Sequence, residues 1–480
     1  MNGCAMISRK LTALFTLCIG LFLYIPCQKA QPAQLVNNWK KEPRLSSASF
    51  GICLAEAKSG KVVYSYNPDL FLIPASTLKL FTTGAAAAIL KPNFKFETQF
   101  AHTGSLENGI LNGNLVIIGN GDVTLYSEHF DTTNLLKNWI QQLKKAGIKK
   151  ISGNVLVDNT KWSFHLPDHW IWSDISNYYG VSPFPLSYKD NKFRIWLKSY
   201  AEGLPAELIK TDLPVGFNAM QIECKVLAKG NSDQAYVYGN PFGYKRWIEG
   251  TIPANKALYD IEAALPDPGL LCATEIFIAL KANGIEITGQ PICENQTAPI
   301  ITGKFFSHFS PPLDKIIRIA NQKSNNLFSE GLVYALGNGN YLKGLSIIKD
   351  YWSKQGISQK ELIMYDGCGL SRSNLVTAEA FRKMLHSVYS DSLLSKCILT
   401  SLPISGVDGS MAHVGKGTFL EKNMRAKTGY IEHVRAYAGY LKNKQGKDLL
   451  FVILLNNYHC NPAEARQLIE KMMLSFVETP

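Results

Sequence analysis

The chain has 480 residues, 46% of them hydrophobic and 11% aromatic, with a formal net charge of +12. That composition suits a globular protein of about three domains at ~150 residues each and excludes a disordered chain. Its basic residues are scattered, which excludes a nucleic-acid-binding arm; the surplus charge suits an acidic surface, lipid or cell-wall polymer, as well as it suits plain solubility.

In chain order, Arg9 and Lys10 precede an apolar run from Leu11 to Pro26. The run is short for a spanning helix and has the charge pattern of a secretory signal peptide, expected over residues 1–30. Export to the periplasm follows, with lipid attachment at Cys27 as the lesser alternative. No later stretch is long and apolar enough to span a bilayer, so the mature chain is expected to be soluble or peripheral to membrane or wall. Seven cysteines follow the leader, an odd number with no C-x-x-C among them. This argues against a disulfide scaffold or a zinc site; one bridge, Cys272 to Cys293, stands as an alternative to small buried thiols.

Residues 49–57 and 61–66 alternate around Lys58-Ser59-Gly60 and predict a β-hairpin. After Pro74, an alanine-rich apolar run to Leu90 predicts a buried helix. Short alternating runs at 114–118 and 154–158 predict strands, with an amphipathic helix near 132–146. Further strands are expected at 192–198, 218–226 and 234–239, and a helix near 270–283. From 312 onward helices predominate, at 312–322, 327–336, 342–355, 377–389 and 391–399. Three strands follow, one into Lys427-Thr428-Gly429, one at 434–442 and one at 448–456, and then a helix at 462–476. Strands at both ends of the chain thus bracket a helical region. The expectation is an α/β (α+β) fold in which both ends share one antiparallel sheet covered by helices. In domain terms, residues 31–95 and 301–480 form one discontinuous catalytic domain, and 96–300 an inserted strand-rich part.

Three polar motifs stand in this frame: Ser76-Thr77-Leu78-Lys79, Ser324-Asn325-Asn326 and Lys427-Thr428-Gly429. Together they have the form of a serine acyl-transfer site. A serine hydroxyl needs a base, and Lys79, one turn after Ser76, lies on the same helix face. Lysine acts as a base only when neutral, a state that burial beside another cation favours. Ser324 falls between two helices, where its hydroxyl can relay a proton to a leaving amine and Asn326 can hydrogen-bond a substrate amide; helix capping is the plainer alternative. Lys427 and Thr428 on a strand edge can hold a terminal carboxylate, with Gly429 allowing close backbone approach. The backbone N–H groups of Ser76 and Tyr430 are the candidate oxyanion donors. Two decoys fail on context: Ser346-Ile347-Ile348-Lys349 lies inside an amphipathic helix, and Lys58-Ser59-Gly60 occupies a hairpin turn upstream of the serine.

With these motifs the chain resembles the class C low-molecular-mass penicillin-binding proteins, the D-alanyl-D-alanine carboxypeptidase/endopeptidase family. Asp366-Gly367-Cys368-Gly369-Leu370-Ser371-Arg372 resembles that family's DGSGLSR segment, with Cys368 in place of Ser. Residues 402–409 resemble its LPxxGxDG segment and residues 119–122 its GGGDP turn. Tyr178-Tyr179-Gly180 with Pro183 is similar to its YYGAPVSAL stretch. The likeness runs from about residue 40 to 478. It implies a penicillin-binding/β-lactamase-like transpeptidase domain whose S-x-x-K and S-x-N motifs are separated by inserted domains. It also implies hydrolysis of D-Ala-D-Ala bonds or D,D-cross-links in peptidoglycan stem peptides through an acyl-enzyme on Ser76. β-Lactams become covalent inhibitors, and neither metal, organic cofactor nor nucleic acid is needed. Asp158 and Arg372 are implied as recognising the ionised end of the stem side chain. Tyr430 departs from the family's usual Ser or Thr, and Glu432-His433 from its small residues. The rival readings are a β-lactamase or esterase on the same site, which the long insertion disfavours, and a penicillin-reactive wall-binding module with little turnover.

Overall fold

A computed structural model describes residues 31–479 apart from 163, 216, 218 and 219. The signal peptide expected over 1–30, and Cys27 with it, lie outside the described residues. Among those described, no helix is long and apolar enough to cross a membrane.

The central sheet has five antiparallel strands, in spatial order Val62–Tyr66, Ser49–Glu56, Asp448–Asn456, Val434–Lys442 and Met424–Ile431. The two ends of the chain therefore pair directly, Ser49 opposite Asn456 and Glu56 opposite Leu449. The strand at 448–456 has apolar residues at almost every position because it is covered on both faces. Leu450, Val452 and Leu454 face one core, while Leu449, Phe451, Ile453 and Leu455 face the other. The terminal helices Pro32–Lys41 and Pro462–Phe476 cover the second face. The second helix starts with a capping box between Asn461 and Glu464.

The first face carries the helical layer. Its centre is the helix Lys79–Leu90, buried from Lys79 through Ala87, which is why its sequence is apolar all round. Gly84 is where it meets Trp352: a Cβ there would lie 2.7 Å from the indole, whose Nε1 donates to the Phe81 carbonyl at 2.8 Å. Helices Leu313–Gln322, Asn326–Leu336, Tyr341–Lys354, Ala378–Ser390 and Ser392–Ser401 pack around it.

Between Leu90 and Leu313 the chain builds strand-rich structure with its own core. Its main sheet orders Pro291–Glu294, Val155–Asp158, Leu115–Ile118, Glu97–His102 and Gly303–Phe309. Smaller sheets are built from Lys192–Lys198 with Glu207–Thr211 and Tyr259–Ala264, and from Gln221–Ala228 with Tyr236–Tyr238 and Lys245–Ile252. This is the α+β arrangement expected from the sequence, with an antiparallel sheet interrupted by a strand-rich insertion. The seven cysteines among the described residues are all free thiols, Cys272 and Cys293 included.

Candidate active site

Ser76 sits in a tight 3-10 turn, Ala75–Leu78, that feeds the helix beginning at Lys79. Ala75 holds φ +45, a left-handed conformation that costs a non-glycine residue on the order of 1 kcal/mol and is maintained by its surroundings. Two glycines provide that setting. At Gly369, φ +84, a Cβ would come 2.0 Å from the Ala75 carbonyl oxygen; at Gly429 it would come 2.7 Å from that of Pro74. Gly429 therefore allows the serine turn to pack closely against this strand.

Lys79 is fully buried, and its Nζ donates three hydrogen bonds: to Ser76 Oγ at 2.9 Å, Asn326 Oδ1 at 2.7 Å and the Cys368 carbonyl at 2.7 Å. Burial lowers its pKa, against a counter-pull from Cys368, Asp366 and Glu330. Asn326, the first residue of its helix, donates through Nδ2 to the Tyr179 carbonyl at 2.8 Å. The Asn326 amide thus joins Lys79 on one side to the Tyr179 backbone on the other.

Ser324 has φ +58, placing its hydroxyl at the corner between two helices. The capping role belongs to its neighbour Asn325, whose side chain accepts from the Phe328 N–H at 3.0 Å. Ser324 Oγ accepts from Lys427 Nζ at 2.9 Å, and Lys427 also donates to the Thr428 carbonyl at 2.7 Å. Lys427 is as buried as Lys79; burial, and then the charge of Lys79, hold its pKa well below the ordinary lysine value. Thr428 Oγ1 donates to Ser410 Oγ at 2.7 Å. The three motifs are thereby brought together as two lysine–serine pairs, Lys79 with Ser76 and Lys427 with Ser324.

The remaining expected residues sit apart from these pairs. Tyr430 is 49% exposed, with the Arg435 guanidinium 4.6 Å above its ring. Arg372 donates to the Glu432 carbonyl at 3.1 Å, and its charge acts on the half-buried Asp174, whose carboxyl burial pushes up. Asp158 lies buried at the end of an inserted strand, its carboxylate accepting from the Thr160 N–H and hydroxyl at 2.9 and 2.7 Å. The carboxylate nearest Arg372 is that of Glu432, at 3.9 Å, and the Oδ1 of Asp158 caps its own turn.

The inserted part contacts the 366–371 loop through Trp170, a residue that sequence reasoning did not single out. Trp170 Nε1 donates to Asp366 Oδ2 at 2.8 Å, and Trp170 packs with Cys368, Leu370 and Tyr179. Glu330 was also missed. Its signal was present: a lone acid in the otherwise apolar helix Asn326–Leu336, one turn beyond Asn326.

The D-Ala-D-Ala carboxypeptidase 3 (S13) family profile, Peptidase_S13, matches residues 32–478. The D-alanyl-D-alanine carboxypeptidase DacB of Haemophilus influenzae is 28% identical over 438 residues, covering 87% of this chain and 88% of that protein. A D-alanyl-D-alanine carboxypeptidase of an Actinomadura species is 27% identical over 447 residues, covering 88% of this chain and 80% of that protein. Among solved structures, penicillin binding protein 4 (dacB) from Haemophilus influenzae aligns with a TM-score of 0.77 at 26% identity, covering 92% of this chain and 98% of that one. The same protein complexed with a β-lactam aligns with a TM-score of 0.74 at 25% identity, covering 94% and 99%.

Proposed function

Because the chain belongs to the D-Ala-D-Ala carboxypeptidase 3 (S13) family and is a serine-type D,D-peptidase acting on peptidoglycan, we propose that Ser76 is its nucleophile and Lys79 the base. The observation that carries this assignment is the 2.9 Å contact between Lys79 Nζ and Ser76 Oγ, made by a lysine with no solvent contact. Burial favours the neutral amine, and the neutral amine can take a proton.

In acylation the Ser76 Oγ–C bond forms at the carbonyl of the D-Ala-D-Ala bond while the hydroxyl proton passes to Lys79. Oxyanion charge gathers between the N–H groups of Ser76 and Tyr430, where each donor is worth about 3 kcal/mol. Ser324 delivers a proton to the leaving amine as the C–N bond breaks, and its partner Lys427 can restore that proton. Lys427 and Thr428 together hold the terminal carboxylate. Water then hydrolyses the acyl-enzyme. A β-lactam follows the same first step, but its leaving group stays tethered by the opened ring.

Arg372 and Asp158 recognise the ionised end of the stem side chain. Residues 31–95 and about 310–480 form the catalytic domain and 96 to about 309 the insertion, since the strand Gly303–Phe309, grouped with the catalytic part on sequence, pairs with Glu97–His102 in the inserted sheet. The enzyme works in the periplasm after removal of a leader, peripheral to the wall or membrane.

The test is release of D-alanine from a stem pentapeptide by the purified chain, beside cleavage of a cross-linked dimer. Release from the pentapeptide supports a carboxypeptidase. Cleavage of the dimer alone would make it an endopeptidase. Neither, despite acylation by penicillin, would overturn the catalytic reading in favour of a wall-binding module.

A further inference from the structure

Behind Lys79 lies a second buried layer that the steps above do not use. Glu330 has no solvent exposure. Its carboxylate accepts from Tyr341 Oη at 2.6 Å and from the Gly367 N–H at 3.0 and 3.2 Å. The next residue, Cys368, offers its carbonyl to Lys79 Nζ at 2.7 Å. The Cys368 thiol and the carboxylates of Glu330 and Asp366 all lie within 4.8 Å of one another. Asp366 is already satisfied by Trp170, the N–H groups of Gly369 and Ser371, and Asn374.

The Cys368 thiol also hydrogen-bonds the carboxylate, and a glutamine could still accept from Tyr341 and the Gly367 N–H through its one carbonyl oxygen. An acid buried without a direct ion pair is costly, and the neighbouring helix positions Leu327, Phe328, Leu332 and Val333 are apolar core. What an acid adds at this place is charge, and the cation it faces is Lys79, one peptide away. Lys79 also faces Asp366, the Cys368 thiol and Lys427. Glu330 faces Asp366, Cys368, Tyr341 and, from its own helix, Tyr334.

We propose that Glu330 is a positioning residue for Lys79: it anchors the Gly367–Cys368 backbone that accepts from Nζ, and its charge sets how readily Lys79 changes protonation state. An ionised Glu330 favours the ammonium that forms when Lys79 takes the serine proton; a protonated Glu330 favours the neutral amine that must be present beforehand. Burial, and then Asp366, raise the Glu330 carboxyl to about 7, so both forms are populated near neutrality. The inference rests on the reading of Lys79 as the base of Ser76.

The experiment follows the rate of acylation by benzylpenicillin from about pH 5 to pH 9, by intact mass, for the full mature chain and its Glu330→Gln and Glu330→Asp variants. Removing the charge makes Lys79 easier to deprotonate. The midpoint of the acid limb in Glu330→Gln is therefore expected to move to lower pH by on the order of one unit. Glu330→Asp, which keeps the charge, should return it toward wild type. A Glu330→Gln variant slower at every pH with its midpoint unmoved would reduce Glu330 to a structural acceptor and overturn the proposal. Should Glu330→Gln not fold, Tyr341→Phe keeps the packing but removes a hydrogen bond that stabilises the ionised carboxylate; its midpoint should move the same way by less, and an unmoved midpoint overturns the proposal equally. Acylation of Ser76→Ala under these conditions would instead remove the Ser76–Lys79 reading on which the inference rests.

Discussion

Lys427 and Lys79 are two fully buried lysines that repel each other, and each reaches a serine at 2.9 Å. Removing one leaves its serine without a partner and changes the charge felt by the other. Lys427→Ala is expected to lose about 2–5 kcal/mol of transition-state binding, the range for truncating a buried hydrogen-bonded charge. The loss should fall mainly on kcat/KM for substrates ending in a free carboxylate; an equal loss on a carboxyl-amidated stem peptide would contradict a carboxylate-binding role. Glu330 gives a prediction on stability. Its folded pKa of about 7 lies above the ordinary 4.5, so the native state holds a proton that the unfolded chain releases between those values. Stability attributable to Glu330 is therefore highest below pH 4.5 and declines as pH rises to about 7, by roughly 3 kcal/mol. Glu330→Gln should gain on wild type across that window in urea unfolding at pH 5 and pH 8, and a difference constant with pH would refute it.

Ser76, the proposed nucleophile, is held by contacts between elements more than by its own helix. The 3-10 turn at Ala75–Leu78 rests on Gly369 from one side and Gly429 from the other. Gly369→Ala combines a strained φ with a Cβ 2.0 Å from the Ala75 oxygen. It should slow acylation far more than the about 1–3 kcal/mol of stability it removes. Gly446→Ala is the control: its φ is +80 but nothing lies within 4 Å of the added Cβ, so it should cost about 1 kcal/mol and leave acylation unchanged. Equal acylation rates in the two variants would show that the 366–371 loop does not position the serine. At this scale much was legible beforehand. The strand at 448–456 and the helix at 462–476 are where hydrophobic period and capping residues put them, because local pattern and burial agree there. The first turn after Pro74 is 3-10 rather than α because the Ala75 conformation is imposed by two glycines distant in sequence. Motif order announced Ser76, Lys79, Ser324 and Lys427. The pairing of Lys427 with Ser324, and of Asn326 with Lys79, depends on helix placement that no spacing encodes.

Across the whole molecule, the insertion forms part of the catalytic wall. Trp170 from the inserted part donates to Asp366, whose other bonds fix the loop carrying Cys368 and Gly369. Nothing in the sequence near Trp170 signals this, because the contact joins segments far apart in the chain. Trp170→Phe keeps most of the packing but removes one of the two donors to Asp366 Oδ2, leaving the Ser371 N–H, at a cost of about 1 kcal/mol. A fall in thermal stability together with slower stem-peptide hydrolysis is the expected result. Reduced stability with unchanged hydrolysis would confine the insertion to support.

The measurement that bears most directly on the account is a time course of intact mass for the mature protein with benzylpenicillin, beside Ser76→Ala. A stable gain of one adduct in wild type and none in the variant is predicted. No adduct while the penicillin is hydrolysed would indicate a β-lactamase, and an adduct that persists in Ser76→Ala would contradict the assignment of the nucleophile.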